Sequence, residues 1–130
     1  MRVGLIGLYA VLWLGGVVSY LFLGGPPEEA GWTAPAFLAI AATLTLLLSP
    51  SCEWPILLGG AALGFAAEAI GVACGLPFGR YHYTDTLFPH VLGVPLVMAG
   101  AWMVLFAYVR HMAGSPWVAA AWMTAIDLVI

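Results

Sequence analysis

The sequence predicts an all-α protein, a polytopic transmembrane helix bundle of four helices plus the start of a fifth. Three observations carry that prediction. Hydrophobic residues fill 64% of the 130 positions and charged residues only 7%, whereas soluble domains carry about a quarter of their residues as charges. The basic residues are three arginines, with no lysine, too few to cover a water-facing surface. The apolar residues also come in long runs, and a bilayer core of about 30 Å needs roughly 20 such residues per helix.

The elements follow in order. The first run, Val3 to Leu23, closes at Gly24, Gly25, Pro26 and Pro27. It holds 21 uncharged residues, longer than the roughly 7–15 of a cleaved signal segment, so it reads as a retained helix. The second, Trp32 to Leu48, stops at Ser49 and Pro50; the third, Trp54 to Leu76, is broken by Pro77. The fourth, Val91 to Val109, ends at Arg110 and His111. Proline in its first turn, at Pro95, is tolerated because the missing N–H would lack a helical partner there. A fifth run opens at Trp117 after Ser115 and Pro116, which suit a helix start. It reaches Ile130 after 14 residues with no polar flank, so further helices are expected beyond it. Trp32, Trp54 and Trp117 each begin a run, as interfacial anchors do. Arg2 and Arg110 fall on one side of the membrane and Arg80 on the other, which favours a cytoplasmic N-terminus.

The whole chain fits one integral membrane domain. A net charge of −3 and scattered arginines exclude a nucleic-acid binder, which needs a basic stripe. Cys52 and Cys74 are too few for a disulfide framework or a zinc site, and Cys74 reads as a small packing residue. No sequence feature bears on oligomeric state.

Two acids lie inside apolar runs, Glu68 and Asp127. A carboxylate in hydrocarbon is costly, so such residues usually face a bundle interior or wet cavity and mark function. The plainer alternative is a structural acid satisfied by a hydroxyl, an arginine or the backbone. Gly60, Gly64, Glu68, Gly71 and Gly75 fall within an arc of roughly 80° on a helix. Small residues on one stripe let a second helix approach closely, so Glu68 belongs on the packed face.

A polar segment follows, with Arg80, Tyr81, His82, Tyr83, Asp85 and His90 close together. Pro77 and Gly79 are expected to turn the chain back over the helix end toward the Glu68 face. Interfacial anchoring would account for the tyrosines and histidines as a class, but less well for two tyrosines at alternate positions beside an arginine. His82 and His90 lack the spacing of a helical ligand pair, and no metal is assigned. Trp102 and Trp122 read as packing or site residues.

Glu68-x-x-Gly-x-x-x-Gly-x-Pro-Phe-Gly-x-Tyr-x-Tyr83, followed by Gly93-Val-Pro95, Trp102 and Asp127, resembles the carotenoid biosynthesis membrane proteins typified by the carotenoid 1,2-hydratases, among them the bisanhydrobacterioruberin hydratases. The similarity covers about Trp54 to Ile130. Family members run longer, with more helices after the position of Asp127, so the resemblance implies an incomplete chain. It also implies a multi-pass protein of a bacterial or archaeal cell membrane, acting on a carotenoid drawn sideways from the lipid bilayer.

The implied reaction adds water to a terminal isopropylidene double bond, gives a tertiary alcohol and uses no cofactor. The alkene must be protonated by a strong acid, and a carboxyl kept protonated by apolar surroundings can serve. Glu68 or Asp127 is that acid, and the other orients and deprotonates the water, since two carboxyls in different environments can divide such roles. Aromatic faces stabilise a cation without trapping it, which suits Tyr81, Tyr83 and Trp102 as substrate-binding residues. Arg80 would hold one carboxyl ionised, or Tyr81 and Tyr83 would hold the water. Two other readings share these residues: an end-group cyclase that loses a proton after ring closure, and a non-enzymatic proton-relay or transport subunit.

Overall fold

The computed structural model describes residues 1–75 and 81–127, apart from the side chains of Thr86 and Asp127. Its helices are α1 (Arg2–Phe22), α2 (Thr33–Leu48), α3 (Trp54–Cys74), α4 (Val97–Met112) and α5 (Pro116–Asp127). Short 3-10 turns at Glu28–Ala30 and Ser51–Glu53 lead into α2 and α3. Three segments are long and apolar enough to cross a membrane: Arg2–Phe22, Glu28–Leu48 and Ser51–Cys74. With 16 residues, α4 is about 24 Å long.

The fourth helix begins later than its apolar run suggests. Val91 is not its first turn but part of a small antiparallel hairpin, β1 (His90–Val91) and β2 (Val94–Pro95). Leu92 and Gly93 form the turn with φ of 54° and 80°, the two left-handed residues that tight hairpins use. Pro95 disfavours helical backbone at Val94, so the helix forms only beyond it. At the end of α3, Gly75 has a φ of 70° and its N–H donates to the Gly71 carbonyl at 2.8 Å. That left-handed cap stops the helix before Leu76 and redirects the chain.

The bundle is built on α4, which packs between α3 and α2 and also carries α5, while α1 packs on α2. Its small core gathers Ala42, Leu57, Ala61 and Met103, with Leu46, Phe106 and Ala107 against them. Much of the remaining apolar surface faces outward, including Val3, Leu21, Leu63 and Ile70, as lipid contact permits. Thr43 and Thr45 spend their hydroxyls on carbonyls one turn back, at 2.8 and 2.9 Å, which spares the hydrocarbon two free donors.

The glycine stripe of α3 meets α4 directly. A Cβ on Gly60 would come within 2.6 Å of Phe106 Cδ1, and one on Gly64 would overlap the Trp102 ring. Phe106 and Trp102 are four apart in reverse order to Gly60 and Gly64, so the two helices are antiparallel and their side-chain rows interlock. Gly59, beside the stripe, has open space where its Cβ would be. Gly64→Leu is therefore expected to force α3 and α4 apart at a cost of about 1–3 kcal/mol, whereas Gly59→Ala leaves stability unchanged or slightly raised. Thermal unfolding of the two purified variants in one detergent checks this; equal melting temperatures would show that the seam does not hold the bundle.

Candidate functional site

Glu68 lies on the packed stripe of α3, one turn beyond Gly64. From Glu68 to Cys74 the helix rises about 9 Å, so the carboxyl sits inside the span, partly buried. The chain returns from the Gly75 cap so that Tyr81 and Tyr83 come alongside it. Tyr81 Oη donates to Glu68 Oε2 at 2.6 Å, and Tyr83 Oη donates to the same oxygen at 3.0 Å. Residues 81–84 form no helix. Outside a helix, alternate side chains can share a face, and here the alternate tyrosines reach one acceptor. Their rings meet edge to face, 5.9 Å between centroids at 78°, and each ring limits the other's rotation.

Both hydrogen bonds thus hold one carboxyl oxygen, Oε2, and the second oxygen, Oε1, has none among the described residues. That division is compatible with an ionised carboxylate, which only accepts, and with a protonated one whose carbonyl oxygen accepts and whose hydroxyl faces away.

The surroundings are apolar. Trp102 covers Gly64 on the inner side of Glu68. On the outer side the hairpin packs against α3, with Val94 and Pro95 fully buried and Gly93 against Val72. A Cβ on Gly93 would stand 3.1 Å from Val72 Cγ1, so glycine there answers both the turn and the close approach. Trp102 Nε1 and His90 Nε2 are buried without a hydrogen-bond partner among the described residues, and buried donors usually have one.

The other expected residues divide. Tyr81 and Tyr83, expected beside the cation or the water, direct their hydroxyls to Glu68. Arg80, with Pro77 and Gly79, lies outside the described residues. Asp127 closes α5, and its side chain lies outside them too. Ile56 near the start of α3 lines one cleft with Pro116, Ala119 and Ala120 of α5. Trp122 is exposed. His82 is exposed and His90 partly buried, and no metal-sized group of His, Cys, Asp and Glu gathers among the described residues.

One polar pair had no signal in the sequence. Glu53 Oε2 and Arg110 Nη1 stand 3.4 Å apart at the opposite end of α3 from the tyrosines. The partners are 57 positions apart, and each looks like an ordinary helix-end charge.

No curated protein and no solved structure matches this chain. A family model described as carotenoid biosynthesis protein matches residues 32–130. The match runs through the Glu68 helix, the tyrosine segment, the hairpin and the last two helices, leaving out only α1 and the loop after it, and the chain belongs to the carotenoid biosynthesis protein family.

Proposed function

We propose that this membrane protein of carotenoid biosynthesis is a cofactor-independent hydratase of an acyclic carotenoid end group. The observation that carries the reading is Glu68 itself, a carboxyl inside an apolar helix with one oxygen held by two phenols and the other without a hydrogen bond among the described residues. A carboxyl O–H gives its proton to the CH carbon of the terminal isopropylidene bond. The π electrons form the new C–H bond, and the cation rests on the carbon bearing two methyl groups. Water adds there through oxygen, and its spare proton passes to a carboxylate. One water is gained, no electrons are transferred, and the proton lost by the acid is regained by the pair.

Glu68 is the leading acid–base group, and Asp127, the other carboxyl within an apolar run, is its partner. Tyr81 and Tyr83 position the Glu68 carboxyl, and their edge-to-face rings with Trp102 give the cation aromatic neighbours. In bacteria that accumulate lycopene, the full-length protein is expected to yield a more polar carotenoid heavier by one water, read by liquid chromatography and mass spectrometry. Glu68→Gln should lower that yield by roughly 10²–10⁴-fold, the usual worth of a positioned acid–base group. Full turnover by Glu68→Gln would remove Glu68 from the chemistry. A product of unchanged mass but altered absorption would identify a cyclase, and charge movement without pigment change a proton-relay subunit.

Tyr81→Phe and Tyr83→Phe each remove one hydrogen bond to Glu68 and leave the ring. Each is expected to slow hydration about tenfold, equivalent to some 1.4 kcal/mol, with the larger loss for the shorter Tyr81 bond. Bound pigment, measured by its absorbance, should be retained in both. If pigment binding falls while the rate per bound molecule holds, the phenols serve binding and not the carboxyl.

The described charges favour one orientation, which we propose. Arg2 opens α1 and Arg110 closes α4 at one end, while Glu28, Glu29 and Asp85 lie at the other. The positive-inside rule makes the arginine end cytoplasmic, so the Glu68 site opens toward the outer face. Cys52 and Cys74 are both exposed and mark the two ends. On intact cells a membrane-impermeant maleimide should label Cys74 and spare Cys52, with Cys52→Ser and Cys74→Ser assigning the signal; labelling of Cys52 alone reverses the orientation.

A further inference from the structure

The second polar cluster of the chain lies at the arginine end of the bundle, remote from Glu68. Ser49, Glu53, Arg110 and His111, with Leu57 and Ala107 beneath them, line a cavity of about 390 Å³. Arg110 also walls an adjoining cleft of about 490 Å³, bounded by Ile56, Phe106, Ala119, Ala120 and Met123. The first space is polar and the second apolar, and Arg110 stands at their junction.

We propose that this double cavity is a phospholipid site for a zwitterionic headgroup with a primary ammonium, the headgroup beside Glu53 and Arg110 and one acyl chain in the apolar cleft. The ion pair at 3.4 Å uses little of what its members offer. Arginine carries five N–H donors and a carboxylate about four acceptor sites, and both side chains are nearly two-fifths exposed. An exposed pair of this kind is worth at most about 1 kcal/mol, so it opens readily to a better match. Phosphate takes the planar guanidinium donors of Arg110, and the ammonium takes Glu53. Helices α2 and α4 both end here, and the partial negative charge of helix C-termini favours the cationic half of the headgroup. A purely anionic headgroup would bring a second negative charge beside Glu53, with Arg110 shared between the two and no ammonium to answer Glu53. A carotenoid hydrocarbon would leave both charges unanswered. Trp54 and Trp117 begin helices at this level, where the membrane interface lies.

The test is lipid retention by the purified full-length protein, read by native mass spectrometry with phosphatidylethanolamine, phosphatidylcholine and phosphatidylglycerol of identical chains. Phosphatidylethanolamine should be retained about tenfold over the others, the worth of one charge-assisted hydrogen bond. Glu53→Gln should abolish its advantage over phosphatidylcholine, and Arg110→Gln should weaken all three. Equal retention of the three lipids by the unaltered protein overturns the proposal, as does a preference for phosphatidylglycerol, which would indicate a simple basic patch. If either variant fails to fold, the headgroup preference of the unaltered protein decides. The readout is independent of carotenoid turnover, so this proposal and the hydratase reading stand or fall separately.

Discussion

A carboxyl within a hydrocarbon-spanning helix needs hydrogen-bond donors from its own protein, because lipid supplies none. Around Glu68 this demand organises the structure. The donors come from a segment beyond the end of α3, so the helix must stop and the chain must come back. Gly75 does the first by taking a left-handed conformation, and the non-helical segment bearing Tyr81 and Tyr83 supplies the donors. Both hydroxyls fall on the same carboxyl oxygen. In the proposed reaction, stability and chemistry would be served by the same two phenols.

The glycine seam meets a related constraint. Close approach of α3 and α4 puts the Glu68 face in the protein interior, and Phe106 and Trp102 occupy the space that side chains at Gly60 and Gly64 would have filled. Without hydrophobic drive between helices in lipid, such contact has to come from packing. Larger residues on the stripe would tilt α4 away, and the hairpin that leads into α4 would lose its seat against Val72. The wall of the site and the grip of the bundle are one surface.

Much of this was legible in the sequence. Glu68 stood out because charge in an apolar run is rare, the glycines because they repeat at the helical period, and the tyrosines because they alternate. What the tyrosines touch was not legible, since it depends on the return path after Gly75 and on which way a non-helical segment faces. The onset of α4 was misread for a local reason: Gly93-Val94-Pro95 suits the first turn of a helix as well as the end of a hairpin, and only the left-handed Leu92 and Gly93 decide between them. The Glu53–Arg110 pair was invisible because helix ends commonly carry charge and nothing in the spacing joins two residues on different helices.

The depth of Glu68 is itself a compromise that suits the proposed reaction. The alkene arrives dissolved in lipid, while its co-substrate is water, and the two are concentrated in different phases. A carboxyl at the middle of the span would meet the hydrocarbon but little water. One at the helix end would be hydrated, and a solvated acid is a poor match for an unactivated double bond. About 9 Å inside the end of α3, beneath a segment bearing Tyr81, His82, Tyr83 and Asp85, the group lies within hydrocarbon yet one polar layer from the interface. In the proposed reaction the cation would form among aromatic faces, and water would reach it from the polar side. The direction of attack would then be set by the membrane as much as by the protein, which would let such chemistry be housed in a bundle with so few polar side chains.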